Sequence, residues 1–398
     1  MFSQNRLKLK LSELYYIALI IFVIDTNLRY SYFYGIWTNS DNIILTIMKM
    51  FRYFSYIVCI ARIISITRFS KKYFLFLFIL FSVGMLAATT GPEKTTIFQC
   101  LLFGAAIDSD FDKVVKIFLT IQGFFLVINI LLSISGFFDV IYVYDLGRLR
   151  YLLGYGWANR ASYCWLFLCL EYIYLKRFRI NAAFLLLMVT VATVLYHFTQ
   201  TNFPYIITIC IFLCSTIKMI SNYLRRFVPG RKNSKEKSKL YIFLFICLVL
   251  IGFLLPYFYN SENNIMHEFN LILNSRLSLG KRAYDLYGIG LFGHKVQWIG
   301  SSSILYGQAN LSDYFVVDCD YLRLTIQYGV PYIMLIIFFY SLGLRRSCQL
   351  NQFSISFCIL VIGFTCIFEP RLVDFGFNPF IFYSLCNFSF EKKILQSI

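Results

Sequence analysis

Apolar and polar positions in this chain alternate in blocks. Runs of about 20 apolar residues, each long enough as a helix to cross a bilayer core, are separated by short polar links. The runs fall at 13–33, 43–66, 73–90, 95–108, 114–138, 161–175, 180–196, 203–220, 240–258, 322–342, 351–368 and 376–390. The expected fold class is all-α: a polytopic integral membrane protein with about 12 transmembrane helices, residues 1–398 forming a single membrane domain. The fourth and sixth runs are short, and the second carries Lys49 and Arg52 within it.

Composition agrees with the pattern. Residues AVILMFWYC make up 59% of the chain, only 14% are charged, and the mean hydropathy is +0.67. A soluble domain of this size cannot hide that much apolar surface, which excludes a cytosolic enzyme, a disordered chain and a secreted disulfide scaffold. The net charge of +17 would point to nucleic acid in a soluble protein. Here the basic residues lie between apolar runs and read as topology signals, so no nucleic-acid partner is expected. Links assigned to the inner side carry 22 of the 37 Lys and Arg, including a basic cytoplasmic loop over 221–239 with seven of them. An even number of spans with both termini inside satisfies this bias. The 12 Cys are scattered singly and mostly within apolar runs (Cys59, Cys100, Cys210, Cys247, Cys358), so they read as small buried apolar residues. The first run shows no small-residue cleavage site and leads into more apolar sequence.

That topology leaves two outer loops of consequence, 139–160 and 259–321. The three His (His197, His267, His294) all fall on the outer side, and the long loop carries most of the mixed charge. Arginines outside run against the positive-inside tendency. Ordinary loop solvation accounts for them, and so does an anionic ligand at the outer face, since an Arg fork grips phosphate oxygens in pairs. There is no P-loop and no H-E-x-x-H. Asp318-Cys319-Asp320 is formally a D-x-D, but no nucleotide-binding domain accompanies it, and neither metal nor cofactor is expected. Asp318, just ahead of a run, fits a helix N-cap as well as a chemical role.

Three stretches go further. Residues 150–159 read R-Y-L-L-G-Y-G-W-A-N; 274–300 read N-S-R-L-S-L-G-K-R-A-Y-D-L-Y-G-I-G-L-F-G-H-K-V-Q-W-I-G; 317–331 read V-D-C-D-Y-L-R-L-T-I-Q-Y-G-V-P. Together they resemble Wzy-type polysaccharide polymerases, especially the capsule and exopolysaccharide polymerases of Gram-positive bacteria. The resemblance covers the chain in topology, but its motifs cover about 50 residues. It points to Arg150, Gly154 and Asn159 in the first loop, to Arg276, Gly280, Gly293 and Lys295 in the second, and to Asp318, Tyr321 and Gly329 at the late helix. Two departures stand out: Thr201-Asn202 occupies the place of a Ser-Arg pair, and Ser275 that of a Gly.

The resemblance implies glycosyl transfer between undecaprenyl-diphosphate-linked oligosaccharides, at the outer face of a bacterial cytoplasmic membrane, into capsule, exopolysaccharide or O-antigen. Arg150, Arg276 and Arg282 would bind diphosphate, Asn159, Lys295 and Tyr321 would bind substrate, and Asp318, with His294 second, would be the base. Membrane lipids, a chain-length regulator and a flippase are the partners it implies. An O-antigen or teichoic-acid-type ligase would share the donor, but its usual His-Asn pair is replaced here by Asp318-Cys319. A lipid-linked oligosaccharide flippase or other transporter is the alternative from another class.

Overall fold

The computed structural model describes residues 2–38, 43–67, 71–91, 96–138, 142–145, 147–224, 234–300, 303–304 and 310–386. Residues 225–233 of the basic loop expected at 221–239, parts of both outer loops, and Tyr306 lie outside them. The chain folds as a helical bundle: α1 (Phe2–Tyr30), α2 (Tyr32–Thr38), α3 (Ile43–Thr67), α4 (Lys71–Thr90), α5 (Thr96–Ala105) and α6 (Phe111–Ile134). A two-stranded antiparallel hairpin follows, β1 (Tyr142–Asp145) and β2 (Arg148–Tyr151), pairing Val143 with Arg150. Then come α7 (Asn159–Leu175), α8 (Ala182–Thr199), α9 (Asn202–Leu224), α10 (Ser234–Tyr257), α11 (Asn264–Ile272), α12 (Arg276–Tyr287), α13 (Asp320–Tyr328), α14 (Val330–Gln349) and α15 (Phe353–Thr365).

Six of these helices, α3, α4, α6, α8, α9 and α10, are long and apolar enough to cross a membrane. Their surfaces are inverted relative to a soluble bundle. On α3, Ile43, Ile47, Met50, Phe54, Ile57 and Ile64 form an exposed stripe at helical spacing, while Tyr56, Cys59 and Ile63 face inward. Such a face has no partner except lipid, and the protein is membrane-embedded. Arg52, within the second run, is neutralised by buried Asp25 of α1, which Arg29 also binds at 3.2 Å. Gln122 of α6 donates to Glu171 of α7 at 2.8 Å and to the Phe377 carbonyl at 3.1 Å, tying two helices to the C-terminal segment.

Three sequence expectations change. The tenth run is two helices rather than one, because Gly329, at φ +87°, breaks it. The run at 376–390 holds, over its described part, a six-residue 3-10 segment (Pro379–Ser384) instead of an α-helix. Asn378 accepts the Phe380 N–H and Pro379 supplies none, so the chain starts as a tight turn. Among the cysteines expected inside, Cys210 is exposed and Cys247 half-buried, on the lipid face.

Glycines from two loop motifs interlock. The stretch 288–296 threads the α13–α14 junction, with His294 N–H donating to Ile326 O (2.8 Å) and Val330 N–H to Gly290 O (3.1 Å). A Cβ on Gly329 would lie 2.3 Å from Leu291 O, and one on Gly293 would lie 2.2 Å from Gln327 O. Gly329→Ala also meets the left-handed backbone penalty, so it should destabilise by about 1–3 kcal/mol. Thermal unfolding of the detergent-solubilised protein checks this, with Gly123→Ala on α6, where the nearest atom is 4.0 Å away, as the control. Equal transitions for Gly329→Ala and wild type would contradict the interlock.

Candidate functional site

A cavity of about 1540 Å³ opens where the C-terminal ends of α1 and α8 meet the N-terminal ends of α7, α9, α12 and α13, roofed by the hairpin and the α11–α12 turn. Among the described residues, six arginines (148, 150, 160, 276, 323, 371), four carboxylates (Asp318, Asp320, Glu369, Asp374) and no lysine line it. Ile206, Leu271 and Ile272 line it too and are exposed, so part of its wall is apolar.

Arg276 is the hub. The chain reaches it through two successive left-handed residues, Asn274 (φ 51°) and Ser275 (φ 62°), that reverse the chain between α11 and α12. Ser275 thus holds a backbone conformation that glycine would adopt without strain. Buried Asn270 pins the turn. Its Oδ1 accepts the Leu277 and Ser278 N–H groups (3.0 and 3.1 Å), supplying from a distance the cap that Ser275 does not. So held, Arg276 donates Nε to Asp318 Oδ2 (2.8 Å) and Nη2 to Glu369 Oε1 (2.6 Å). The other oxygen of Glu369 lies 3.9 Å from Arg371 Nη2, and Arg371 Nη1 donates to Asp374 Oδ2 at 2.7 Å. Five charges thus alternate in sign from Asp318 to Asp374.

Backbone chemistry fixes the far end of this relay. Asp374 Oδ1 accepts the N–H groups of Gly376 and Phe377 (3.0 and 3.2 Å), a local turn, and the Tyr30 hydroxyl at 2.7 Å. A Cβ on Gly376 would sit 2.3 Å from the Tyr30 ring, so this close approach requires glycine. Burial pushes the Glu369 carboxyl up, outweighing its two guanidinium neighbours. Burial disfavours the charge on Arg276, but Asp318 and Glu369 overcome it and hold the guanidinium protonated well beyond its ordinary range. Asp374 and Glu369 do the same for Arg371. Asp320, buried at the mouth of α13, is pushed up to about 7 by burial, against the Leu372 N–H and Arg323.

A second arm carries Arg150 and Arg160. Arg150, from β2, donates Nε to Thr199 O (3.0 Å) and Nη2 to Thr201 Oγ1 (3.2 Å), and sits over Trp157. Thr201 therefore orients an arginine. Arg160 donates Nη1 to Tyr30 O (3.0 Å) and lies over the Tyr30 ring. Tyr30 joins the two arms, since its hydroxyl reaches Asp374. Gly154, at φ +77°, packs so tightly on Asn129 that a Cβ would fall 2.2 Å from its carbonyl, which anchors the loop after the hairpin to α6.

Of the residues singled out in the sequence, the cavity brings together Arg150, Asn159, Arg276 and Asp318. The other four lie off its lining. Arg282 is exposed with its guanidinium over Phe315, and Lys295 is exposed. His294 stands beside Tyr287, and Tyr321 is fully buried, donating to Gly363 O at 2.8 Å. Asp318 does not cap α13: the cap position is Cys319, and the Asp318 carboxylate is engaged by Arg276. Sequence reasoning missed Glu369, Arg371 and Asp374. Their signal was present in E-P-R-L-V-D, three charges in six residues between two apolar runs. Among the described residues no three His, Cys, Asp or Glu side chains converge as a metal would require.

The chain matches no family model, no curated protein and no solved structure.

Removing Arg276 leaves Asp318 without its partner beside Glu369, which keeps only the more distant Arg371. Arg276→Ala should therefore cost about 3–5 kcal/mol at pH 8. The loss should shrink at pH 5, because burial has already raised Glu369 and protonation removes the repulsion. Thermal unfolding across that range checks it; a loss independent of pH would contradict the charge relay.

Proposed function

We propose that this protein is a membrane glycosyltransferase that polymerises undecaprenyl-diphosphate-linked oligosaccharide repeat units into capsular polysaccharide, exopolysaccharide or O-antigen, at the outer face of a bacterial cytoplasmic membrane. The observation that carries this reading is the cavity itself: arginine forks and carboxylates at one end of an apolar bundle, beside the exposed apolar side chains of Ile206, Leu271 and Ile272. A lipid diphosphate needs both halves of that surface. Its tail stays in the bilayer beside those apolar side chains, and its phosphates meet Arg150, Arg160 and Arg148.

The chemistry asks little beyond positioning. A sugar bonded to a lipid diphosphate carries a good leaving group, so charge stabilisation by preset guanidinium groups is the main requirement. Arg276, its charge matched by Asp318 and Glu369, shapes the acceptor side rather than gripping phosphate, and Arg160 takes the part that Thr201-Asn202 vacates. The pattern of about 12 passes is consistent with the placement of Arg177 and Arg346 at the opposite end of the bundle. There Arg177 binds Asp112 at 3.0 Å and Arg346 reaches the Tyr383 carbonyl. That end would face the cytoplasm.

Cells lacking the gene should accumulate lipid-linked single repeat units and no long chains. Arg150→Ala should reproduce that pattern at normal protein level, losing at least about 10²-fold in polymer. Size analysis of extracted lipid-linked glycan decides. Long chains stranded on the lipid carrier would point to a ligase, and repeat units trapped on the inner leaflet to a flippase. Normal polymer from Arg150→Ala would remove the diphosphate site.

A further inference from the structure

Four carboxylates line the cavity, and their hydrogen bonds separate them. Asp318 and Glu369 both hold Arg276, and the second oxygen of Glu369 faces Arg371. Asp374 has three donors on Oδ1 and Arg371 on Oδ2. A proton placed on any of these would break an ion pair in a medium where an unpaired charge is costly. Asp320 differs. Its backbone N–H is anchored on Cys366 O at 2.9 Å and its Oδ2 accepts the Leu372 N–H at 2.5 Å, which fixes the side chain. Its Oδ1 accepts no hydrogen bond from the described residues, and it is not sealed from the cavity that Asp320 lines.

We propose that Asp320 is the catalytic base of this cavity, its Oδ1 taking the proton of the acceptor sugar hydroxyl. The assignment rests on the glycosyl-transfer reading above. The hydroxyl oxygen bonds to the anomeric carbon of the donor sugar. The bond from that carbon to the phosphate oxygen breaks, its electron pair leaving with the lipid diphosphate. The proton passes to Oδ1 and from there to water. Arg276 holds Asp318 and Glu369 as the fixed wall against which the acceptor lies. The groups facing Asp320 are Arg323 on its own helix, Arg371 and Asp374 from the 369–378 segment, Cys366 at the end of α15 and Tyr340 of α14. Burial dominates among them, so Asp320 is ionised only above about pH 7, a range suited to accepting a proton under working conditions.

The test is the pH profile of chain growth by the purified full-length protein, supplied with undecaprenyl-diphosphate-linked oligosaccharide isolated from cells lacking this gene. Between pH 6 and 8 the wild-type rate should climb about tenfold, with its midpoint near 7. Asp320→Asn keeps an acceptor for the Leu372 N–H but no base. It should fall by about 10²–10⁴-fold at pH 8 and lose the rise, while its unfolding temperature at pH 8 stays at or above wild type because a buried charge is gone. Asp320→Glu should retain a pH-dependent rise, and Asp318→Asn, whatever its rate, should retain it as well. A wild-type profile flat from pH 6 to 8, or Asp320→Asn within about threefold of wild type at pH 8, would overturn the assignment and leave glycosyl transfer standing. Should Asp320→Asn fail to fold, loss of the rise in Asp318→Asn with its retention in wild type would transfer the role to Asp318. Absence of chain growth by wild type at every pH would instead overturn the reading on which the assignment rests.

Discussion

Charge inside an apolar bundle persists only when each ion has a partner and each remaining lone pair a donor. The alternation Asp318–Arg276–Glu369–Arg371–Asp374 meets that demand and in doing so ties together α12, the entry to α13, the exit of α15 and, through Tyr30, the end of α1. Apolar packing alone would bring these ends together without fixing their depth or rotation. The relay fixes both, and the cavity is the space it leaves. Two turns, at Asn274–Ser275 and at Asp374–Phe377, deliver its arginines and carboxylates.

Much of this was legible in the sequence, for reasons specific to each part. Long apolar runs announce helices because a bilayer leaves the backbone no other partner than itself. Gly293 and Gly329 stood out within motifs, and both are places where the backbone of a neighbouring segment lies too close for any side chain. The apolar run after 376 was read as a helix because a fully buried 3-10 turn and a buried helix have the same composition. Only the Asn378-Pro379 pair within it hints at a turn. Tyr321 illustrates the converse error. An aromatic beside a polar loop looks like a sugar platform, yet its ring packs against Gly252, where a Cβ would lie 2.6 Å away. Glu369, Arg371 and Asp374 escaped because they sit in a link too short to look like a loop. Their significance depends on Arg276, some ninety residues earlier in the chain, meeting them in space.

The cavity divides its labour by what each side chain is already bound to. Arginines on the hairpin side rest on backbone carbonyls, hydroxyls and aromatic rings, partners that leave a guanidinium its charge. On the opposite wall Arg276 and Arg371 are matched by carboxylates, while Arg323 lies over Trp298. A diphosphate and a sugar hydroxyl make opposite demands, one for positive charge and one for an acceptor. Proposed glycosyl transfer therefore runs across the cavity, from the hairpin side to the mouth of α13, with the lipid tail beside the apolar lining at Ile206 and Ile272.

The most direct measurement is the stoichiometry of leaving-group release. The purified protein, in vesicles holding one lipid-diphosphate-linked oligosaccharide as sole substrate, should liberate one undecaprenyl diphosphate for each new glycosidic bond, as doubled and longer glycans appear on the remaining carrier. Release without new bonds, or movement of the intact lipid across the bilayer with no release, would contradict glycosyl transfer in this cavity.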